Sequence, residues 1–214
     1  MLKLAKIGKR FGNIIVLKNV NFDVVSGESL CIVGDNGSGK TTLLKIIASI
    51  LKYDRGEIYC DGKIITKDLS EYRKNVVYIG HDTYLYDYLS AYENLIFWCS
   101  LYNIFPTRKE VENSLKEVGL SVDTKQRISE FSKGMKKRVS LSKALLIKPK
   151  ILIIDEPFSN LDEIGKMVLT DFIATRKKEN LISIISYPTS SDYKTIQDFI
   201  TTFYQISDRT ILKL

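Results

Sequence analysis

Residues 31–42 read Cys31 Ile32 Val33 Gly34 Asp35 Asn36 Gly37 Ser38 Gly39 Lys40 Thr41 Thr42. The apolar start predicts a strand, and the GxxxxGKS/T pattern that follows predicts a tight loop leading into a helix. Glycines let backbone N–H groups converge on an anion, Lys40 adds a compact positive charge, and the Thr41 hydroxyl is a ligand suited to Mg²⁺. A helix over residues 41–51 directs its positive dipole end at the same anion. The stretch therefore predicts a nucleoside triphosphate site; the alternative is a glycine-rich turn without a ligand.

The apolar patterning of the chain favours an α/β fold. Alternation over residues 2–7 and 14–25 predicts two antiparallel strands joined by a turn at residues 11–13. Continuous apolar runs predict strands buried on both faces of a mainly parallel sheet, at residues 30–33, 76–79, 151–154 and 181–185. Helical patterning occupies residues 41–51, 91–102, 108–118, 133–147, 163–178 and 190–197.

The long interval between residues 79 and 151 predicts an inserted subdomain. It holds about seventy residues of mostly helical pattern, too many for a single crossover between parallel strands. We therefore expect one P-loop NTPase domain over residues 1–214. Its mainly parallel core sheet and antiparallel β subdomain occupy residues 1–82 and 148–214, and its α-helical subdomain occupies residues 83–147.

The composition is that of a globular chain, with 214 residues and 44% hydrophobic content. We see neither the ~20-residue apolar run of a membrane span nor a signal-peptide pattern, so we expect a cytoplasmic protein. Cys31, Cys60 and Cys99 lie far apart, which argues against a disulfide framework or a zinc site. The net charge of +7 is spread along the chain without a nucleic-acid motif, so no specific nucleic-acid partner is expected.

A second part of the candidate site follows the apolar run 151–154. Asp155 and Glu156 stand at its C-terminal end, where ligands bind in open α/β sheets. Asp155 suits a direct or water-mediated hold on Mg²⁺, and Glu156 suits the general base that activates water for attack on a γ-phosphate. The alternative is a pair of solvated acids in a turn.

These motifs, in this order, resemble the ATP-binding subunit of ABC transporters along nearly the whole chain. Phe158 Ser159 Asn160 Leu161 Asp162 is similar to the family's D-loop, whose aspartate helps to join two ATPase subunits. Phe131 Ser132 Lys133 Gly134 Met135 resembles the signature LSGGQ and retains Ser132 and Gly134. The resemblance implies that this cradle closes over the γ-phosphate held by the opposite subunit, which gives two composite ATP sites in a dimer. Without the resemblance, the same residues read as an ordinary helix cap.

Three further positions take their roles from the resemblance. Phe11 occupies the place of the aromatic residue that stacks on adenine; the alternative is a hairpin-tip side chain that packs on the sheet. His81 stands where the family has a glutamine that touches the metal. Mg²⁺ prefers oxygen ligands, so a hydrogen bond to metal-bound water and an exposed loop histidine are the two interpretations.

Tyr187 stands where the family has the histidine that orients the γ-phosphate and the attacking water. A phenol does not exchange protons near neutrality as imidazole does, so we expect slow hydrolysis or rescue by a partner subunit with a complete site.

The aromatic tract of residues 84–102 follows His81. It reads either as the core of the helical subdomain or as part of a groove for a helix of a membrane subunit. A resemblance to transporters of the haem-exporter and ABC-2 type is carried by Tyr78 Ile79 Gly80 His81 Asp82, by Leu85 Tyr86 and by Glu93 Asn94 Leu95. We expect a subunit on the cytoplasmic face of a membrane that binds ATP and Mg²⁺, forms a homodimer or heterodimer, and drives a separate integral membrane permease. The main alternative is a soluble ABC-type ATPase that acts as an assembly or regulatory switch. A P-loop kinase is disfavoured by the D-loop and the signature.

Overall fold

A computed structural model describes residues 1–65, 69–121, 125–189 and 196–214. The chain divides into two compact units. The first comprises Met1–Gly80, Lys150–Pro157 and Ile173–Leu214, and the second comprises His81–Pro149 and Phe158–Phe172. The predicted subdomain bounds at residues 83 and 147 stay a prediction.

The strands are β1 Leu2–Phe11, β2 Ile14–Val24, β3 Ser29–Gly34, β4 Arg55–Cys60, β5 Lys63–Ile64, β6 Val76–Ile79, β7 Ile151–Ile154, β8 Ile182–Pro188, β9 Thr202–Ser207 and β10 Thr210–Lys213. The helices are α1 Lys40–Ile47, α2 Ser70–Arg73, α3 Ala91–Leu101, α4 Arg108–Glu117, α5 Lys133–Ile147 and α6 Glu163–Lys178, with a 3₁₀ turn at Ile128–Glu130. Among the described residues, none of these helices has the length and apolar character that a membrane crossing requires.

A six-stranded sheet forms the core of the first unit, in the order β10-β9-β3-β8-β7-β6. The pairs from β9 to β6 are parallel, and β10 pairs with β9 in the antiparallel sense. Every residue of β3, β6 and β7 is buried, because the sheet is covered on both faces. The predicted α/β fold with a mainly parallel core sheet is confirmed. Parallel strands end at one edge, so the segments that follow β3, β7 and β8 meet there.

A four-stranded antiparallel sheet completes the first unit, in the order β2-β1-β4-β5. The predicted strand pair is present, and β1 continues to Phe11. Sequence patterning missed β4, β5, β9 and β10. In β4 only Ile58 is buried, so the strand has no alternation to detect.

The prediction of a helix over residues 41–51 was wrong at its C-terminal end, because α1 stops at Ile47. Ser49 adopts a left-handed φ of 57°, and the amides of Ile50 and Leu51 both donate to the carbonyl of Lys45. A left-handed residue after the last turn ends a helix. The predicted helix over residues 190–197 falls mostly outside the described residues.

The second unit is helical and begins its helices with local caps. Ser90 and Glu93 form a capping box at α3, and Thr107 and Glu110 form another at α4. The buried Asn94 accepts a hydrogen bond from the Tyr86 amide at 2.7 Å and donates to the Tyr86 carbonyl at 3.0 Å. These bonds fix the loop that precedes α3.

The aromatic tract divides between core and surface. Leu95 and Cys99 are fully buried, whereas Tyr86 and Tyr88 are exposed by 50% and 85%. Tyr86 contacts Phe97 edge to face, with ring centroids 4.9 Å apart. The tract therefore supplies part of the core of the second unit and also presents tyrosines to solvent.

Lys143 of α5 is a buried cation in the second unit. Lys143 is only 4% exposed, and its ammonium lies 4.5 Å from the centroid of the Trp98 ring. Burial lowers the pKa of Lys143 to about 8, and the nearby Cys99 opposes that shift. The charged form is therefore disfavoured by folding at neutral pH.

We predict that Lys143→Met stabilises the protein at pH 7 and that the advantage shrinks toward pH 9. In the unfolded chain the pKa of Lys143 returns to its ordinary value near 10.5. Below about pH 8 the amine is therefore charged in both states, and its full burial penalty opposes folding. This unfavourable contribution decreases as pH rises from about 8. The gap in unfolding free energy between variant and parent should narrow by about 1 kcal/mol between pH 7 and pH 9, measured by urea titration.

Cys99 and Tyr102, whose pKa values burial raises to about 11 and about 12, stay protonated in both folded proteins between pH 7 and pH 9 and do not change the gap. A gap that stays constant across this range would contradict the buried ammonium.

Candidate nucleotide-binding site

The loop after β3 needs its glycines for two different reasons. A Cβ on Gly34 would lie 2.5 Å from Ile206 Cγ2 and 2.8 Å from the Ile206 carbonyl oxygen, so no side chain fits there. Gly37 and Gly39 have φ values of 82° and 106°, which other residues rarely adopt. The loop 34–39 therefore combines a close approach to β9 with two left-handed turns.

Lys40 begins α1 and is 5% exposed. Its ammonium donates to the carbonyls of Gly34 at 2.7 Å and Asp35 at 2.9 Å, so it is held against the loop. Burial lowers the pKa of Lys40, while the carboxylates of Glu156, Asp155 and Asp35 oppose that change. Gly39 has no side chain to cap α1, which leaves the first-turn amides available to an anion.

Asp155 follows β7 and is 3% exposed. Its carboxylate accepts hydrogen bonds from the hydroxyls of Thr41 at 2.6 Å, Ser186 at 2.5 Å and Tyr78 at 3.4 Å. The Thr41 and Asp155 oxygens are therefore adjacent, and both are hard donors of the kind that Mg²⁺ prefers. Because Thr41 donates its proton to Asp155, lone pairs of its hydroxyl remain for a cation. These residues fit a magnesium ion that phosphates and water complete.

Glu156 is held in an unusual backbone conformation beside Asp155. Its φ of 48° is left-handed, a conformation that costs a non-glycine residue about 1 kcal/mol or more. Its amide donates to the Ser186 hydroxyl at 3.0 Å. Ser186 thus links the two acids, since the same hydroxyl donates to Asp155. Sequence reasoning missed Ser186 and Tyr78; the signal was a hydroxyl at the end of each buried apolar strand.

Tyr187 lies beside the start of the phosphate loop. In the parallel pairing of β3 with β8, Val33 is opposite Tyr187 and Gly34 is opposite Pro188. Phe11 ends β1 with its side chain 48% exposed, and the Lys9 ammonium lies 5.2 Å from its ring centroid. The first unit therefore brings the predicted residues of the phosphate loop, the two acids and Tyr187 to one edge of the core sheet.

The remaining predicted residues belong to the second unit. Ser132 caps α5 by accepting from the Met135 amide at 3.2 Å, and a Cβ on Gly134 would lie 2.5 Å from the Asn160 carbonyl oxygen. Asp162 accepts from the Gly165 amide at 2.8 Å. A cavity of about 600 Å³ is lined by residues that include Ser132, Gly134, Asn160 and Asp162. His81 is exposed, with its Nδ1 3.9 Å from an Asp82 carboxylate oxygen.

We predict that Ser186→Ala lowers the free energy of unfolding by about 1–3 kcal/mol. The change removes one donor from the buried Asp155 carboxylate and the acceptor of the Glu156 amide. Ser29→Ala is the matched control, because the buried Ser29 hydroxyl has no hydrogen-bond partner in the described part of the chain. Its removal should alter stability by less than about 0.5 kcal/mol. Equal effects of both substitutions in urea titrations would contradict the proposed network.

Known proteins that resemble this chain identify its family. The family model for the ABC transporter matches residues 17–159. The lantibiotic transport ATP-binding protein SrtF of Streptococcus pyogenes is 32% identical over 206 residues, which cover 96% of this chain and 87% of that protein. The cytochrome c biogenesis ATP-binding export protein CcmA of Albidiferax ferrireducens is 30% identical over 185 residues, which cover 86% of this chain and 88% of that protein. The chain spans about half, 53%, of the linearmycin resistance ATP-binding protein LnrL of Bacillus subtilis, to which it is 34% identical.

Solved structures match over the whole chain. An ATP-binding subunit of an ABC transporter superposes with a TM-score of 0.89 at 27% identity, covering 100% of this chain and 89% of that one. A dimeric ATP-binding cassette in a post-hydrolysis state, bound to ADP and Pi, superposes with a TM-score of 0.86 at 25% identity, covering 100% of this chain and 99% of that one. The chain therefore belongs to the ABC transporter family and carries that family's ATP-binding ATPase domain.

Proposed function

We propose that this chain binds MgATP, pairs around it with a second ATPase subunit, and drives a separate integral membrane permease. The observation that carries the proposal is the convergence of Lys40, Thr41, Asp155 and Glu156 at one edge of the core sheet. Lys40 and Asp155 are buried, and hydrogen bonds fix the Lys40 ammonium, the Thr41 hydroxyl, the Asp155 carboxyl group and the Glu156 backbone amide.

ATP binding uses groups of the first unit. The amides of the loop 34–39 and of the first turn of α1 bind the phosphates, and the Lys40 ammonium exchanges its carbonyl partners for phosphate oxygens, which are stronger acceptors. Phe11 stacks on the adenine. Thr41 and Asp155 would hold Mg²⁺, which would neutralise phosphate charge.

Hydrolysis uses Glu156 as the general base. Its carboxylate takes a proton from the attacking water, whose oxygen bonds to the γ-phosphorus. The bond from the γ-phosphorus to the β–γ bridging oxygen then breaks, which releases ADP and phosphate. Ser186 accepts a hydrogen bond from the Glu156 amide and so fixes the backbone from which the carboxylate projects.

Dimerisation completes the site with groups of the second unit. Ser132, Gly134 and Asp162 line one cavity, and the α5 N-terminus that Ser132 caps suits the γ-phosphate bound by the opposite subunit. The solved cassette with ADP and Pi is itself dimeric, which supports this arrangement. Purification of the complex would show whether the second subunit is identical to this chain.

The membrane partner is proposed from relatives and from the exposed tyrosines. SrtF is named for lantibiotic transport, and a similar solved chain, 26% identical with a TM-score of 0.76, is part of the ABC transporter complex cbiONQ. Tyr84, Tyr86 and Tyr88 are all exposed in the second unit, and tyrosine is a favoured anchor in protein interfaces. We place the chain on the cytoplasmic face of a membrane, against the permease.

We predict that Glu156→Gln abolishes turnover while ATP binding persists. Loss of a general base lowers the rate by about 100-fold or more, and the uncleaved nucleotide accumulates in a stable dimer. The measurements are phosphate release and ATP-dependent dimerisation by analytical ultracentrifugation. Glu117→Gln, an exposed position on α4, should behave as the parent. Parental turnover by Glu156→Gln would remove Glu156 from the mechanism.

The trapped Glu156→Gln protein, affinity-tagged, also identifies the partner. Recovery from detergent-solubilised membranes should yield an integral membrane protein. Recovery with soluble proteins alone would favour the switch without a transporter.

We predict that Tyr187→His raises ATP turnover by about tenfold or more. Imidazole exchanges protons near neutrality, whereas the phenol does not, and position 187 adjoins the phosphate loop. Tyr187→Phe provides the control, since it keeps the ring and removes the hydroxyl. Turnover unaffected by Tyr187→His in the purified chain, with its thermal midpoint unchanged, would contradict the role of this position.

A further inference from the structure

Residues 158–162, which follow Pro157, are attached to the helix α5 within the second unit. We call them the D segment. It directly follows Pro157 of the first unit along the chain, yet it clusters with the helical unit. The carbonyl of Asn160 in this segment lies so close to Gly134 that a Cβ there would approach it to 2.5 Å.

Lys137 of α5 forms the second attachment. It is 4% exposed, and its ammonium donates to the Ser159 carbonyl at 3.2 Å and to the Ser159 hydroxyl at 3.0 Å. Its neighbours on the helix differ: Lys133 is exposed, and Lys136 pairs with Asp87 at 2.6 Å. A buried ammonium is expensive unless hydrogen-bonded, so Lys137 strongly favours the arrangement in which Ser159 accepts from it.

Arg138 forms the third attachment. It is 8% exposed, forms an ion pair with Asp162, and donates to the carbonyls of Val118 at 3.3 Å and Gly119 at 2.9 Å. One guanidinium thus joins the end of α4, the helix α5 and the end of the D segment. A planar donor group with five N–H bonds is suited to three acceptors at once.

We propose that Lys137 and Arg138 are positioning residues that hold the D segment on α5. Through them, Ser132, Gly134 and Asp162 form one rigid surface that faces the second ATPase subunit. Arg138 lines the same cavity as Ser132, Gly134 and Asp162, whereas Lys137 does not. The consequence for dimerisation rests on the proposed function, whereas the attachment itself is a property of the single chain.

Hydrogen exchange of the full-length chain tests the attachment. Lys137→Met keeps the unbranched stem and removes the ammonium, so exchange at amides 159–162 should accelerate about tenfold while β7 and the centre of α5 stay protected. Lys136→Met is the matched control one residue away and should leave these amides within twofold of the parent. Ser159→Ala removes one of the two acceptors and should produce a smaller acceleration without any change in α5.

Dimerisation tests the consequence. In the Glu156→Gln background, Lys137→Met should weaken ATP-driven dimerisation about tenfold and leave the ATP affinity of the single chain unchanged within twofold. Lys137→Gln retains an N–H donor and should recover part of the loss. A residue with a purely structural role would not separate dimerisation from nucleotide binding in this way.

Unchanged exchange at amides 159–162 in Lys137→Met would overturn the inference, whatever the dimer does. Faster exchange with parental dimerisation would overturn the positioning role. If the Glu156→Gln parent itself does not dimerise with ATP, the proposed function fails, and the exchange result still decides the attachment.

Discussion

The candidate site depends on the buried carboxylate of Asp155. Three hydroxyls donate to it, from Thr41 on α1, Ser186 on β8 and Tyr78 on β6. A buried carboxyl group is tolerated only where hydrogen bonds replace its lost hydration, so folding must bring these three elements together around Asp155. Glu156 takes its position from the same network, because the Ser186 hydroxyl that binds Asp155 also accepts the Glu156 amide.

The phosphate loop presents a buried ammonium that suits an anion. Lys40 is kept in the loop by two carbonyl acceptors, and burial makes its charge less favourable than in water. Phosphate oxygens are stronger acceptors than carbonyls, and their negative charge compensates the positive charge of the Lys40 ammonium. Exchange of these carbonyls for phosphate oxygens is therefore favourable for the Lys40 ammonium.

The second unit is organised by local caps and by one set of longer-range contacts. Capping boxes at α3 and α4 define where those helices begin, and Ser132 does the same for α5. Lys137 and Arg138 act over 22 and 24 residues of sequence, respectively, to reach the D segment. These contacts join α5 and the D segment into one surface. A site shared between two subunits requires such a surface.

Local spacing and continuous apolar runs encode the mainly parallel α/β core, the phosphate loop, and the strand that delivers Asp155 and Glu156, so these features can be predicted from the chain alone. Short strands such as β4 escaped detection, since only Ile58 is buried there. Only the tertiary structure decided that Ser186 and Tyr78 complete the Asp155 network and that Lys137 binds Ser159. These contacts join residues far apart in the chain, and a hydroxyl or an ammonium acquires such a role only when folding buries it beside its partner.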